Sequence, residues 1–140
     1  MHRLILAAAF LAVAAGCGSD PRRCCDAYSS TEEKGIYCLA HRDAVLRFVR
    51  EPRDPEQRRA RLDWFRTFSR TLAALEDSDA IDARIAPLEK DRPEFWREYS
   101  KQHFWAGRDT NLSLQVRGEL MKCGFTHAVH ELELDLSPRP

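Results

Sequence analysis

Cys24 and Cys25 are neighbours, and that constrains this chain more than any other feature of its sequence. A bond between adjacent residues closes a small, strained ring, so each is expected to pair elsewhere. One should hold Cys38 and the other Cys123, and which takes which stays open. The longer link would tie the start of the domain to its far end. On the loop-entropy model, closing nearly the whole chain contributes about 4–5 kcal/mol. A zinc site built from the same four thiols competes with this reading. Adjacent cysteines depart from the usual C-x₂-C spacing of such sites, so neither a metal nor another cofactor is expected.

The fifth cysteine, Cys17, closes a different pattern. Met1, His2 and Arg3 form a short positive start, followed by an unbroken apolar run from Leu4 to Ala15. A membrane-spanning helix needs about 20 such residues, so the run fits the centre of a secretory signal instead. It ends Ala14-Ala15-Gly16-Cys17, which resembles the lipobox of bacterial lipoproteins, with Ala14 where leucine is commoner. The resemblance implies that residues 1–16 are removed, that the Cys17 sulfur receives a diacylglycerol, and that the new amino group is acylated, as with palmitate. The competing reading is an ordinary signal peptide, with Cys17 a plain thiol. An odd cysteine count in an exported protein leaves one thiol unpaired; with Cys17 lipidated, the other four can pair fully in an oxidising periplasm. Residues 17–23 then form a tether reaching at most about 25 Å. That keeps the domain near the headgroups, with Arg22 and Arg23 at the surface. Lipoproteins retained in the inner membrane often carry Asp after the lipidated cysteine. Here Gly18 stands there, which implies the periplasmic face of the outer membrane.

Beyond the tether, the chain reads as one helical domain over residues 24–136, with a tail at 137–140. The chain has 140 residues, 44% hydrophobic, with three Trp, which suffices for a single core. Only six Gly and few β-branched runs argue against a strand-rich sandwich. The expected fold class is all-α: a small disulfide-stapled bundle of about four to five helices with a short extended C-terminal arm. A first helix is expected from near Thr31 to about Arg50, with apolar positions at Ile36, Leu39, Ala40, Val45, Leu46 and Val49 and a first turn weakened by Gly35. Asp54 should cap a second, opened by Pro55 and running to about Glu76, with Leu62, Phe65, Ser69 and Leu72 as its stripe. A segment from Asp79 carries Ile81, Ile85 and Leu88, with Pro87 expected to kink or end it. Pro93 opens the next, broken at Gly107. Asp109 or Thr110 should cap the last helix, with Gly124 as its C′ residue and Phe125 the hydrophobic contact after it. Leu132-Glu133-Leu134-Asp135-Leu136 alternates strictly and reads as extended chain.

Motifs that carry chemistry are few. The sequence has no G-x-S-x-G elbow, phosphate-binding Gly loop or H-E-x-x-H helix, and the chain is not expected to be an enzyme. His127 and His130 are the nearest approach to a metal pair, but on extended chain they would point to opposite sides. Charge is balanced overall, at 22 Lys+Arg against 22 Asp+Glu, so nothing in the total favours nucleic acid. Locally, residues 42–70 hold nine Arg against five acids, while residues 76–98 hold eight acids against four bases. Oppositely charged helices packing side by side would explain this; an Arg face meeting headgroups or an acidic partner is the functional alternative. The aromatic segment is the best candidate for partner binding. Trp96, Tyr99 and Trp105 would anchor it and Arg97 and Arg108 would rim it, although the same spacing also suits core.

These features point to a non-catalytic protein-binding module on the membrane, holding an envelope protein in the manner of pilot, exclusion or inhibitor proteins. A purely structural envelope lipoprotein is the alternative, with a small enzyme or metal-binding protein behind it. Cys25-x-Ala27, Thr31-Glu32-Glu33 and Ile36-x-Cys38 are loosely similar to the start of LprI-type lysozyme-inhibitor domains, which implies a short Cys-to-Cys segment opening a helical hairpin. The similarity spans fourteen residues, its Ile–Cys spacing is one residue longer, and later signature positions are missing, so it assigns no family.

Overall fold

A computed structural model describes residues 20–75, 81–101 and 111–136, where every regular element is helical. A 3₁₀ segment, Pro21–Ala27, precedes five α-helices: α1 Glu33–Arg50, α2 Pro55–Ala74, α3 Ile81–Asp91, α4 Pro93–Lys101 and α5 Leu114–Leu136. The all-α bundle is therefore as expected. Asp20 opens the 3₁₀ segment by accepting from the Arg22 amide at 2.9 Å. Asp54 caps α2 by accepting from the Glu56 amide at 3.1 Å, with Pro55 in the first turn. Expected features at Asp79, Gly107, Asp109 and Thr110 lie outside the described residues. The last helix starts at Leu114, and Ser113 caps it by accepting from the Val116 amide at 3.2 Å.

Three long helices make the frame. Cys38 lies against Cys123, Arg42 pairs with Glu131 and Arg50 with Asp135, so α1 and α5 run parallel. Leu75 accepts from Lys122, Ser69 meets Thr126 and Arg66 pairs with Glu133, so α2 runs antiparallel to α5. The core between them is aromatic. Phe65 packs near-edge-on against Phe95 at 5.0 Å between ring centres, and Phe48 against Phe95 at 5.3 Å. Phe68 and Phe125 continue the cluster at 5.6 Å. Such pairs add about 0.5–1.5 kcal/mol each beyond their buried area. Among the described residues, no helix is long and apolar enough to cross a membrane.

Three local expectations are corrected and two are refined. The C-terminal alternation is helical, not an extended arm, because α5 runs on to Leu136. Leu132 is buried and Leu136, one turn later, packs on the core, while Leu134 between them is 61% exposed. An alternating run thus also satisfies a helix when its middle member faces water. Gly124 is not a helix terminator but an interior residue of α5, where a Cβ would lie 2.6 Å from the Cys38 carbonyl oxygen and 2.7 Å from the His41 Cβ. Its lack of a side chain lets α1 and α5 touch, and Phe125 beside it is fully buried core. Of the two outcomes expected at Pro87, a kink or an end, the end does not occur: Pro87 sits inside α3, and the interruption falls at Arg92. Ile36 is 56% exposed, and Tyr37, Cys38 and His41 face inward instead. Gly35, expected to weaken the first turn, is also required there, since the Ser29 carbonyl occupies the space a Cβ would take.

Candidate functional site

The aromatic helix forms one wall of a cleft. Phe95 and Tyr99, one turn apart on α4, face α1, and their rings stack at 5.2 Å between centres. Glu94 and Glu98 share the neighbouring face of α4. Across from them, α1 presents Ala44, Arg47 and Phe48, and Glu51 follows at its end. Together these residues enclose about 320 Å³, with an aromatic floor and a charged rim. The rim carboxylates already have cations: Glu51 with Arg61 at 3.3 Å, Glu94 with Arg92 at 3.6 Å and Glu98 with Lys101 at 3.1 Å. Arg47 is exposed and has no ion-pair partner among the described residues. It also borders a wider recess of about 740 Å³ that contains Arg42, Arg50 and Glu131.

The expected binding residues do not form one exposed patch. Tyr99 is 1% exposed and belongs to the core, which corrects its assignment as a surface anchor; its ring stacks on Phe95 and meets the His41 edge instead of facing solvent. Trp96 is half-buried against the core, and Arg97 is exposed. Trp105 and Arg108 lie outside the described residues. The rim residues Arg47, Glu51, Glu94 and Glu98 were not singled out from the sequence. Their i,i+4 spacing within each segment is visible there, but nothing local shows that two segments more than forty residues apart face each other.

The cysteines converge at the other end of α1. Cys24 is joined to Cys123 and Cys25 to Cys38, which resolves the open pairing. The Cys123 sulfur lies 3.2 Å from that of Cys38 and 3.7 Å from that of Cys25. The sulfurs of Cys25, Cys38 and Cys123 all fall within 4.8 Å of one another, a spacing that would suit a soft cation only after both bonds were reduced. Cys25 and Cys38 are buried, whereas Cys24 and Cys123 are half-exposed.

Two histidines sit inside the fold. The His41 ring packs against Tyr37, Tyr99 and Phe125, and its Nδ1 lies 2.8 Å from the Tyr37 carbonyl oxygen, which accepts the hydrogen bond. Burial pushes its pKa down to about 3. His127 is buried on α5 with its Nε2 3.1 Å from a Glu131 oxygen one turn away, and burial lowers its pKa too, against the pull of Asp26 and Glu131. His127 and His130 therefore share a helix, not the extended chain expected, with His130 half-buried. Among the described residues, the basic run over 42–70 finds carboxylates on α5, through Arg42–Glu131, Arg50–Asp135 and Arg66–Glu133.

Comparison with protein-family models, with curated proteins and with solved structures finds no match to this chain.

Proposed function

We propose that the chain is a lipid-anchored protein of the bacterial cell envelope that acts as a non-catalytic binding module, gripping a partner protein at the cleft between α1 and α4. The observation that carries the anchoring half is the cysteine accounting. Two disulfides use Cys24, Cys25, Cys38 and Cys123, so the fifth cysteine, Cys17 at the end of the apolar leader, lies outside both bonds. The periplasmic face of the outer membrane is the proposed address, because Gly18 follows the lipidated residue. The binding half is supported by a concave, aromatic-floored cleft whose rim offers Arg47 unpaired among the described residues. Arginines and aromatics are the residues on which interface energy concentrates. Arg47 and Glu51 lie nine and thirteen residues beyond Cys38, so at about 1.5 Å per helical residue the cleft sits roughly 14–20 Å along α1 from the cross-linked end nearest the anchor.

The burial of Phe95 and Tyr99 favours a second reading, a structural envelope lipoprotein in which α4 only completes the core. One paired experiment separates the two. Full-length chain, its Cys17→Ser variant and its Arg47→Ala variant are fractionated and radiolabelled with palmitate in the same cells, with a photo-crosslinker at Glu98 reporting contacts. The proposal expects Cys17→Ser to lose label and membrane retention, and Arg47→Ala to keep both while losing a discrete crosslinked species. Unchanged labelling and fractionation of Cys17→Ser removes the anchor; crosslinks indifferent to Arg47 leave the structural reading.

A further inference from the structure

Four sulfurs meet where the 3₁₀ segment crosses α1 and α5, and their arrangement carries a chemistry that stapling alone does not need. Two disulfides can stabilise a small domain from opposite sides of it. Here they touch. The Cys123 sulfur, bonded to Cys24, is 3.2 Å from the Cys38 sulfur and 3.7 Å from the Cys25 sulfur. Cys38 and Cys123 stand on helices held in backbone contact at Gly124, so their separation is fixed by packing rather than by a loose loop. The two bonds also differ in access. Cys25 and Cys38 are 1% and 0% exposed, out of reach of an external reagent, while Cys24 and Cys123 are partly open to solvent.

We propose that the paired disulfides form one thiol–disulfide exchange site, entered by an external thiol at Cys24 and relayed by Cys123 to the buried Cys25–Cys38 bond. The external thiolate attacks the Cys24 sulfur; a bond forms between the two, the Cys24–Cys123 bond breaks, and Cys123 leaves as a thiolate. That thiolate attacks Cys25 or Cys38, forming a new disulfide and expelling the other as a thiolate. Oxidation state is unchanged to this point, since one bond has formed for each that broke. If the reagent is a dithiol, its second thiolate attacks its own sulfur in the mixed disulfide and releases Cys24. The dithiol is then oxidised to its disulfide, and the chain has gained two electrons and two protons as two thiols. Thiolates are the attacking species throughout, and access sets which sulfur is attacked first. The substrate class is a thiol or dithiol small or flexible enough to reach Cys24, such as glutathione or a reduced cysteine pair of another exported protein.

The test uses the full chain. In Cys24→Ser, Cys123 is left as a thiol beside an intact disulfide. After acid quench and alkylation, non-reducing peptide mapping should find Cys123 bonded to Cys25 in some molecules and to Cys38 in others, with loss of the unique Cys25–Cys38 pairing. Cys25–Cys38 found alone, with Cys123 the sole alkylated member of the three, overturns the relay. Because that variant loses a staple, wild-type protein is also treated with less than one equivalent of glutathione. Glutathione should appear on Cys24, with the alkylated thiol on Cys25 or Cys38. Alkylation confined to Cys123, or glutathione attached directly to Cys25 or Cys38, refutes the proposal whatever the variant does.

Discussion

A neutral histidine in the core makes stability depend on pH in a window set by His41. Its imidazole takes a proton near pH 6.5 when the chain is unfolded, but the folded chain refuses it until about pH 3. Between those values the unfolded state binds the extra proton. Stability is therefore full above pH 6.5 and falls as the solution is acidified, by about 1.4 kcal/mol per pH unit. At pH 4.5 this one group is expected to remove about 2–3 kcal/mol, a large part of the roughly 5–15 kcal/mol that holds such a domain folded. His127 acts in the same direction, since burial lowers its pKa as well. The assay is urea unfolding of wild type and His41→Leu at pH 7, 5.5 and 4.5. Leucine is close in volume and cannot titrate, so the contribution from His127 cancels in the difference. Wild type should lose about 2–3 kcal/mol more than the variant between the extremes. Parallel pH profiles, or a folded-state His41 whose ring resonances titrate near pH 6.5, would refute the reasoning.

Two further predictions concern α5. Gly124→Ala gains about 1 kcal/mol of helix propensity, yet places a methyl 2.6 Å from the Cys38 carbonyl oxygen, where overpacking costs about 1–3 kcal/mol and the neighbouring Cys24–Cys123 bond hinders any slide. A lowered melting temperature is expected, and a raised one would mean that the two helices do not touch there. Leu132→Ala should cost about 2–5 kcal/mol as a core truncation, whereas Leu134→Ala should stay within about 0.5 kcal/mol. Equal losses in chemical denaturation would favour the extended arm over the helix.

The sequence is most legible where a local rule has only one way to be satisfied. Asp54 followed by Pro55 starts a helix whatever packs on it, and the 3–4 spacing of Leu62, Phe65, Ser69 and Leu72 names the face it buries. The neighbouring pair Cys24 and Cys25 is similarly informative, because a bond between them would close a small strained ring. Legibility is lost where one pattern serves two structures. Leu132, Leu134 and Leu136 fit a strand by alternation and a helix by the i,i+4 pair at its ends; the apolar positions before them, Phe125, Ala128 and Val129, continue the helical series and tip the outcome. Gly124 is ambiguous for a related reason. A glycine near Phe125 looks like a terminator, and only the approach of α1 from eighty-odd residues away gives it a different purpose.

That same approach explains why the cleft was invisible and the sulfur cluster half-visible. Parallel packing of α1 on α5 needs the intervening helices to carry the chain back, and it is this return that lays α4 across the far half of α1. Arg47 and Glu98 share no motif, no period and no charge run; they share a cleft only because Phe95 and Tyr99 are buried against Phe48 and Phe125. The cysteines announce their partners because a covalent bond restricts choice, but their order does not reveal that both bonds fall at one place. Gly124 determines that, by letting the Cys38 and Cys123 backbones close to a distance at which the sulfurs of separate bonds come within 3.2 Å. A residue without a side chain thus sets both the register of the bundle and the chemistry open to its cross-links.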